Sequence, residues 1–199
     1  MLTFRKIVFT EKERAEVQTD SLDETKVPAG QFLLKTLYSL VSAGTETACY
    51  QGREAWFPLP GTPGYACVGE VFKKSDDVKS VDVGDVVFCR GKHAAMQLMP
   101  EDCLPVKVPA GMDVRYAPFT RMAAISISAL RVSDIELGDD VLVIGLGLIG
   151  NFAAQLAALQ GANVLATDLS EFRLAAARDC GIAHTLRSSP GVDLTEQIR

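Results

Sequence analysis

The sequence is poor in the features that mark several classes of protein. Its five cysteines are scattered without a CxxC pair, so neither a disulfide framework nor a zinc ribbon is predicted. No apolar run approaches the roughly 18 residues that a membrane-spanning helix needs. Acidic residues outnumber basic ones, and the formal net charge of −5 argues against nucleic acid as the main partner. Neither a membrane protein nor a nucleic-acid-binding protein is therefore predicted.

The N-terminal region also lacks the apolar core of a secretion signal, because Arg5, Lys6 and the charged segment 11–14 interrupt it. The scattered thiols are expected to be reduced and mostly structural, and the chain is predicted to be cytoplasmic. Its 48% hydrophobic and 23% charged residues are ordinary for a soluble globular protein. A length of 199 residues allows one or two domains.

What the sequence does contain is an apolar segment that ends in glycines. Residues 141–144 are typical of a short strand buried on both faces of a parallel sheet. A GxGxxG pattern follows, at Gly145, Gly147 and Gly150. In this pattern the first glycine permits a sharp turn, the second lets a pyrophosphate approach the backbone, and the third lets the helix pack on the strand. The predicted dinucleotide site lies at the helix N-terminus, where the dipole favours an anion, and includes Leu148 and Ile149.

A second predicted strand, 163–168, ends in an acid. Asp168 follows the glycines at close to the ~20-residue spacing at which a carboxylate meets the ribose hydroxyls of the cofactor. An acid there also repels a ribose 2′-phosphate, so NAD(H) is predicted rather than NADP(H). Two alternatives stay open. The glycines either bind a nucleotide or only pack an ordinary βαβ unit with Asp168 as a helix cap, and Arg173 either approaches the ribose or is solvated.

The first hundred residues are rich in β-strand signals separated by turns. The predicted strands and strand-bearing segments are 6–9, 15–18, 32–41, 65–72, 83–88, 94–98 and 103–108. Gly69 is predicted to be a bulge or a point of close backbone approach. Many short strands with turns are typical of a small, partly closed barrel. Helix-forming residues run from 116 to 132, so the domain boundary is placed near residue 115, between domains 1–115 and 116–199.

The order of these segments resembles a known family. A β-rich domain, a helical passage and GLGLIG, with PGYACVGEV and VGDVVF in place, resemble the medium-chain dehydrogenase/reductase superfamily, the relatives of zinc alcohol dehydrogenase. The resemblance covers nearly the whole chain. It implies a GroES-like catalytic domain followed by a Rossmann domain, and hydride transfer between a nicotinamide and a carbonyl or alcohol. It also implies a small-molecule substrate and, for a full-length protein, a homo-oligomer.

Three positions at which zinc members of the family carry ligands hold other residues here. Ala43 stands for the first cysteine, Tyr65 for the histidine and, on an ungapped count, Arg121 for a further cysteine. None of these is a zinc donor, and the four-cysteine cluster of structural zinc is also absent from the sequence, so a zinc-independent protein is predicted. His93 and His184 fall at no ligand position and are both predicted to be surface imidazoles.

Without zinc, other groups must polarise the carbonyl and handle the proton. The resemblance aligns Thr45 with the family hydroxyl that bonds the substrate oxygen, and this residue is the first choice. Tyr65 either donates a phenolic proton or only fills the space that zinc would take. Arg121 either places positive charge near a developing alkoxide or pairs with Glu46. Ala48 stands where zinc alcohol dehydrogenases often have a relay histidine, so that proton path is missing.

The chain offers about two βα units after the GLGLIG strand, whereas a full Rossmann sheet has six strands. The sequence is therefore expected to be a fragment of a longer protein, with 192–199 the start of a helix, although a truncated product is the other possibility. Two functions follow from these observations. The first is a zinc-independent, NAD(H)-dependent oxidoreductase whose active portion is expected to lie partly outside this sequence. The second is a non-catalytic nucleotide-binding or scaffolding protein derived from the same family.

Overall fold

The computed structural model describes residues 1–189 and 191. The chain divides into two units, Met1–Phe119 and Thr120–Arg199. Residue 115, at which the sequence placed the boundary, lies inside a 3-10 helix, Val114–Phe119, that closes the first unit. In the part of the chain that the structure describes, no helix has both the length and the apolar character needed to span a bilayer.

The first unit is built from seven strands. They are β1 (Leu2–Glu11), β2 (Arg14–Leu22), β3 (Gln31–Ser39), β4 (Cys67–Lys74), β5 (Val86–Cys89), β6 (Met96–Pro100) and β7 (Val106–Lys107). β1 and β2 form an antiparallel ribbon, and the others form an antiparallel sheet in the order β6-β3-β4-β5-β7. Isolated bridges join Lys6 to Ala94 and Phe9 to Gly61. The predicted strands are confirmed with shifted ends, and closure into a barrel stays a prediction.

The core of the first unit lies against the central strands of this sheet. Phe32 and Leu34 of β3 are fully buried with Val71 of β4 and Val87 of β5. Removing such side chains from water stabilises the unit by about 1.5–3 kcal/mol each. Burial also raises the pKa of the Cys67 thiol to about 11, which keeps it protonated and unreactive. The five cysteines are free thiols in the structure, and Cys180 is exposed.

Gly69 of β4 has the role that the sequence predicted. It pairs with Thr36 of β3, and the register of the two strands shifts directly after that pair. A Cβ atom on Gly69 would lie 2.6 Å from the backbone oxygen of Lys35, which is too close for any side chain. The position is therefore a close backbone approach, and it lies opposite a bulge whose extra residue, Leu37, belongs to β3.

Helix α1 (Ala43–Tyr50) was not predicted, because the β-favouring run 32–41 gave no sign that the strand ends at Ser39. The N–H of Glu46 donates to the carbonyl of Ser42 at 2.9 Å, and the N–H of Ser42 donates to the Glu46 carboxylate at 2.8 Å. The first of these is the ordinary first hydrogen bond of the helix. The second gives the N–H of Ser42, at the helix start, a side-chain acceptor.

In the described residues, the second unit contains a parallel three-stranded sheet with helices. Its elements are α2 (Thr120–Ser133), β8 (Asp140–Ile144), α3 (Leu148–Leu159), β9 (Asn163–Asp168), α4 (Glu171–Asp179) and β10 (His184–Arg187). The strand order is β10-β9-β8, with parallel pairing throughout. The predicted strand, turn, helix and second strand are confirmed, including the end of β9 at Asp168. The helix predicted for 192–199 lies outside the described residues.

One prediction for this unit is wrong. Residues 141–144 were expected to be buried on both faces of the sheet, yet Leu142 is 43% exposed and Ile144 is 74% exposed. Val141 and Val143, which alternate with them, pack against the core cluster that α3 and α4 complete. Because successive strand residues point to opposite faces, only one face of β8 is covered in the described part of the chain.

Candidate functional site

The turn between β8 and α3 shows why glycine is needed at two of the three positions. Gly145 has a φ angle of +91°, a conformation that favours glycine. A Cβ atom on Gly150 would lie 1.8 Å from the carbonyl oxygen of Gly145. Gly147 caps α3 at its N-terminus, and a Cβ atom there would have nothing within 4 Å. The first and third glycines therefore allow the fold, while the second leaves open space where an anion can reach the helix N-terminus.

Asp168, at the end of β9, holds this turn in place. Its side chain is 6% exposed, and it accepts hydrogen bonds from the N–H of Leu146 at 2.7 Å and of Ser170 at 2.8 Å. Burial acts to raise the pKa of Asp168. The two N–H donors and the Arg173 charge act against burial and hold that pKa below its ordinary value. The residue is therefore a carboxylate at neutral pH, with its charge at the predicted nucleotide site.

The remaining residues of the predicted cofactor site lie beside this carboxylate or on the same helix start. Arg173 Nη1 lies 3.5 Å from Asp168 Oδ2, and the Arg173 side chain is 55% exposed. Leu148 and Ile149 form the first turn of α3 and are partly exposed, at 42% and 38%. The structure thus brings the glycines, the acid and the arginine to one edge of the parallel sheet, and their roles in cofactor binding stay predictions.

Ser126 of α2 is a residue whose role the sequence did not reveal. Its side chain is fully buried, and its hydroxyl donates to the carbonyl of Ile149 at 3.0 Å. This bond fixes the first turn of α3 against α2, and so supports the helix start at which an anion would bind. A lone serine in a helix carries no sequence signal for such a contact.

The three predicted catalytic residues are divided between the units. Thr45 lies in α1 and Tyr65 lies just before β4, and both are partly buried. Arg121 is the second residue of α2, in the second unit. The predicted roles of these residues, and the pairing of Arg121 with Glu46, stay predictions.

The prediction that His93 is a surface imidazole is wrong. Its side chain is 9% exposed; Nδ1 lies 2.8 Å from Ser39 Oγ and Nε2 lies 2.8 Å from Glu46 Oε2. Its backbone N–H donates to the carbonyl of Pro63 at 2.8 Å. These partners are far apart in the chain, so no local pattern could have revealed them. His184, by contrast, is exposed as predicted.

An open cleft of about 500 Å³ in the first unit brings these polar groups together with apolar walls. Its lining residues are Ile7, Phe9, Ser39, Val41, Ala43, Glu46, Thr47, Tyr50, Pro63 and His93. The residues that α1 contributes are spaced as one face of a helix. Ala43 stands where zinc members of the resembled family carry their first ligand. Within residues 1–189 and 191, no group of three histidine, cysteine or acidic side chains is arranged to hold a metal ion.

Comparison with known proteins places this arrangement in a family. No family model matches the chain. The chain is 30% identical over 173 residues to L-threonine 3-dehydrogenase of Francisella tularensis subsp. novicida (strain U112). The matched region covers 71% of this chain and 49% of that protein. The chain belongs to the medium-chain dehydrogenase/reductase superfamily. It spans about half the length of the curated relatives that it matches.

Solved structures of dehydrogenases share the folds of the two units. A short chain alcohol dehydrogenase from E. coli CFT073, solved with NADH, gives a TM-score of 0.83 at 19% identity, over 98% of this chain and 65% of that one. A dehydrogenase from Sinorhizobium meliloti 1021, bound to NADP, gives a TM-score of 0.83 at 19% identity, over 94% of this chain and 62% of that one. At these identities the likeness concerns the fold, a GroES-like unit and a Rossmann unit of the superfamily.

Proposed function

We propose that the protein is an oxidoreductase that transfers hydride between NAD(H) and a carbonyl or alcohol substrate without catalytic zinc. The observation that carries this proposal is the glycine turn at the start of α3, which the Asp168 carboxylate ties to β9 through the N–H of Leu146. A turn with space at Gly147 and an ionised acid beside it suits a dinucleotide better than a purely structural crossover. Family membership supports the same interpretation.

The described residues fit a nicotinamide dinucleotide, which would supply hydride transfer when bound. The N-terminus of α3 would hold the pyrophosphate, and Asp168 would accept hydrogen bonds from the adenosine ribose. The two structural relatives were solved with NADH and with NADP, so the choice between them rests on this chain's own residues. The charge of Asp168 favours NAD(H), because it repels a 2′-phosphate. Arg173 offsets part of that charge from 3.5 Å away.

The residues at the zinc positions do not fit a zinc ion, because alanine, tyrosine and arginine give no suitable donor set. The family resemblance makes Thr45 the first candidate for hydrogen bonding to the substrate oxygen, with Tyr65 and Arg121 as the other candidates. None of the three is among the residues that line the 500 Å³ cleft of the first unit. The same proposal includes a small-molecule substrate, a homo-oligomer for a full-length protein and a cytoplasmic location.

The zinc content of the purified protein is expected to be well below one atom per chain. The physical reason is the loss of all three ligand positions, which leaves no site of high affinity. Elemental analysis of protein purified without a chelator measures the zinc content per chain directly. A stoichiometric zinc that survives dialysis would contradict the zinc-free proposal.

Hydride transfer itself is expected to be detectable with labelled cofactor. Protein incubated with NADH deuterated at C4 and a panel of aldehydes and ketones should deliver deuterium to the carbinol carbon of the product, measured by mass spectrometry. The replaced zinc ligands favour one other candidate, a non-catalytic nucleotide-binding protein. That candidate predicts NADH binding with no deuterium in any product, which would refute the oxidoreductase proposal.

A further inference from the structure

Three polar side chains form a hydrogen-bonded chain along one edge of the cleft in the first unit. The Ser39 hydroxyl, at the end of β3, lies 2.8 Å from His93 Nδ1, and His93 Nε2 lies 2.8 Å from Glu46 Oε2. The other oxygen of Glu46 accepts the N–H of Ser42 at 2.8 Å, which fixes the carboxylate. His93 and Glu46 are 9% and 8% exposed, whereas Ser39 is exposed. This series of hydrogen bonds thus runs from the exposed Ser39 hydroxyl to the buried Glu46 carboxylate.

The partners of His93 determine which of its ring nitrogens carries the proton. A carboxylate has no proton to donate, so Nε2 carries the hydrogen that it shares with Glu46. Nδ1 is then left as an acceptor for the hydroxyl of Ser39. In this arrangement Ser39 Oγ keeps a lone pair for a further donor and is already linked to a base. A hydroxyl, an imidazole and an oriented carboxylate in series are the parts from which enzymes build proton-accepting groups.

The position of these three hydrogen-bonded side chains in the cleft indicates which kind of substrate they would act on. The surrounding walls are apolar, with Ile7, Phe9 and Pro63 among the lining residues, so the cleft suits an apolar body. Ala43 lines the same cleft and stands at the first ligand position of zinc relatives. The His93 and Glu46 pair therefore lies beside the place where those relatives put their metal.

We propose that Ser39, His93 and Glu46 accept the hydroxyl proton of an alcohol substrate with an apolar body, a task that relatives assign to zinc and a relay histidine. This rests on the proposed oxidoreductase function. The substrate O–H bond breaks and its proton goes to Ser39 Oγ, while the proton of Ser39 goes to His93 Nδ1. The electron pair of the broken O–H bond forms the carbonyl as the carbinol hydride leaves to oxidised nicotinamide. Glu46 is a positioning residue that stabilises the resulting imidazolium.

A second cavity gives the proton a route to solvent. Ser39 and His93 line a second open cavity of about 360 Å³. Arg5 and Lys6 of β1 and Tyr38 of β3 line the same cavity. This cavity is open to solvent, so it gives the proton a route from Ser39 and His93 to water. The same two residues thus face an apolar cleft on one side and a basic, solvent-open cavity on the other.

The test uses ¹⁵N magnetic resonance of the histidine rings, with benzyl alcohol as the probe. The chain has two histidines, so the exposed His184 serves as an internal reference. In the free protein, His93 is expected to show a protonated Nε2 and an unprotonated Nδ1. Benzyl alcohol should shift the Nδ1 signal saturably and leave His184 unchanged. Ser39→Ala should abolish that shift, and Ser21→Ala, at an exposed serine of β2, should preserve it.

The outcomes separate this proposal from the function on which it rests. A proton on Nδ1 in the free protein would overturn it, as would an Nδ1 signal that benzyl alcohol does not move. So would a shift that persists unchanged in Ser39→Ala. NADH is titrated into the same samples, and NADH binding together with any of those results would refute the proton path alone. Failure to bind NADH would overturn both proposals.

Discussion

Replacing Asp168 by alanine is expected to weaken NADH binding by about 10- to 100-fold relative to NADPH binding. A hydrogen bond to a charged group contributes roughly 1.5–3 kcal/mol, which corresponds to that range of affinity. NADPH gains from the same change because the repulsion on its 2′-phosphate disappears. Arg173, 3.5 Å from the carboxylate, is then released to meet that phosphate. Calorimetric titration with both cofactors measures the ratio of their dissociation constants.

The ratio is the informative quantity, because Asp168 also accepts the N–H groups of Leu146 and Ser170. Their loss destabilises the turn for both cofactors alike. Asp168→Asn is the matched variant, since its amide oxygen still accepts a backbone hydrogen bond while the charge is gone. Asp179→Ala removes one exposed negative charge from the same unit away from the turn, and should leave the ratio unchanged. A ratio that does not move in Asp168→Ala would show that the residue only organises the turn.

Gly150→Ala is expected to destabilise the second unit strongly. The added Cβ would lie 1.8 Å from the carbonyl oxygen of Gly145, a backbone atom that cannot move without opening the turn. Forcing extra atoms into such a position costs about 1–3 kcal/mol. For a unit of this size the melting temperature then falls by roughly 5–20 °C. Thermal unfolding followed by calorimetry measures the effect, and NADH binding should be lost with the turn.

Gly147→Ala is the control for that experiment. A Cβ atom there has nothing within 4 Å, so the fold should change by less than about 1 kcal/mol. It fills the space through which a pyrophosphate would approach, so NADH binding should still weaken. Equal melting temperatures for Gly150→Ala and the wild type would contradict the packing role of Gly150. Unimpaired NADH binding in Gly147→Ala would contradict the role of the open space.

The features that the sequence predicted correctly are those that depend on local geometry. Gly145 and Gly150 are required by the turn itself, and Asp168 ends β9 because the spacing of one βα unit brings it there. Gly69 was recognisable because a glycine inside a strand often marks a bulge or a close approach of another backbone. In these cases a short stretch of sequence contains the whole physical cause.

The features that the sequence missed depend on which distant elements meet. His93 lies next to Glu46 and Ser39 only because β3, α1 and the segment before β6 converge, and nothing near His93 in the chain encodes that. Ile144 is apolar, as expected in a strand that is buried on both faces of a sheet. Its exposure depends on whether another element covers its side of the sheet. Apolar character predicts that a face can be buried and does not identify what covers it.

The most direct test of the proposed NAD(H) site is a side-by-side calorimetric titration of the unmodified protein with NADH and with NADPH at one fixed salt concentration. We expect saturable binding of NADH at one site per chain, with a smaller dissociation constant than for NADPH, because the ionised Asp168 accepts the ribose hydroxyls and repels the 2′-phosphate. Equal or tighter binding of NADPH, or no saturable heat with either cofactor, would contradict the proposed site.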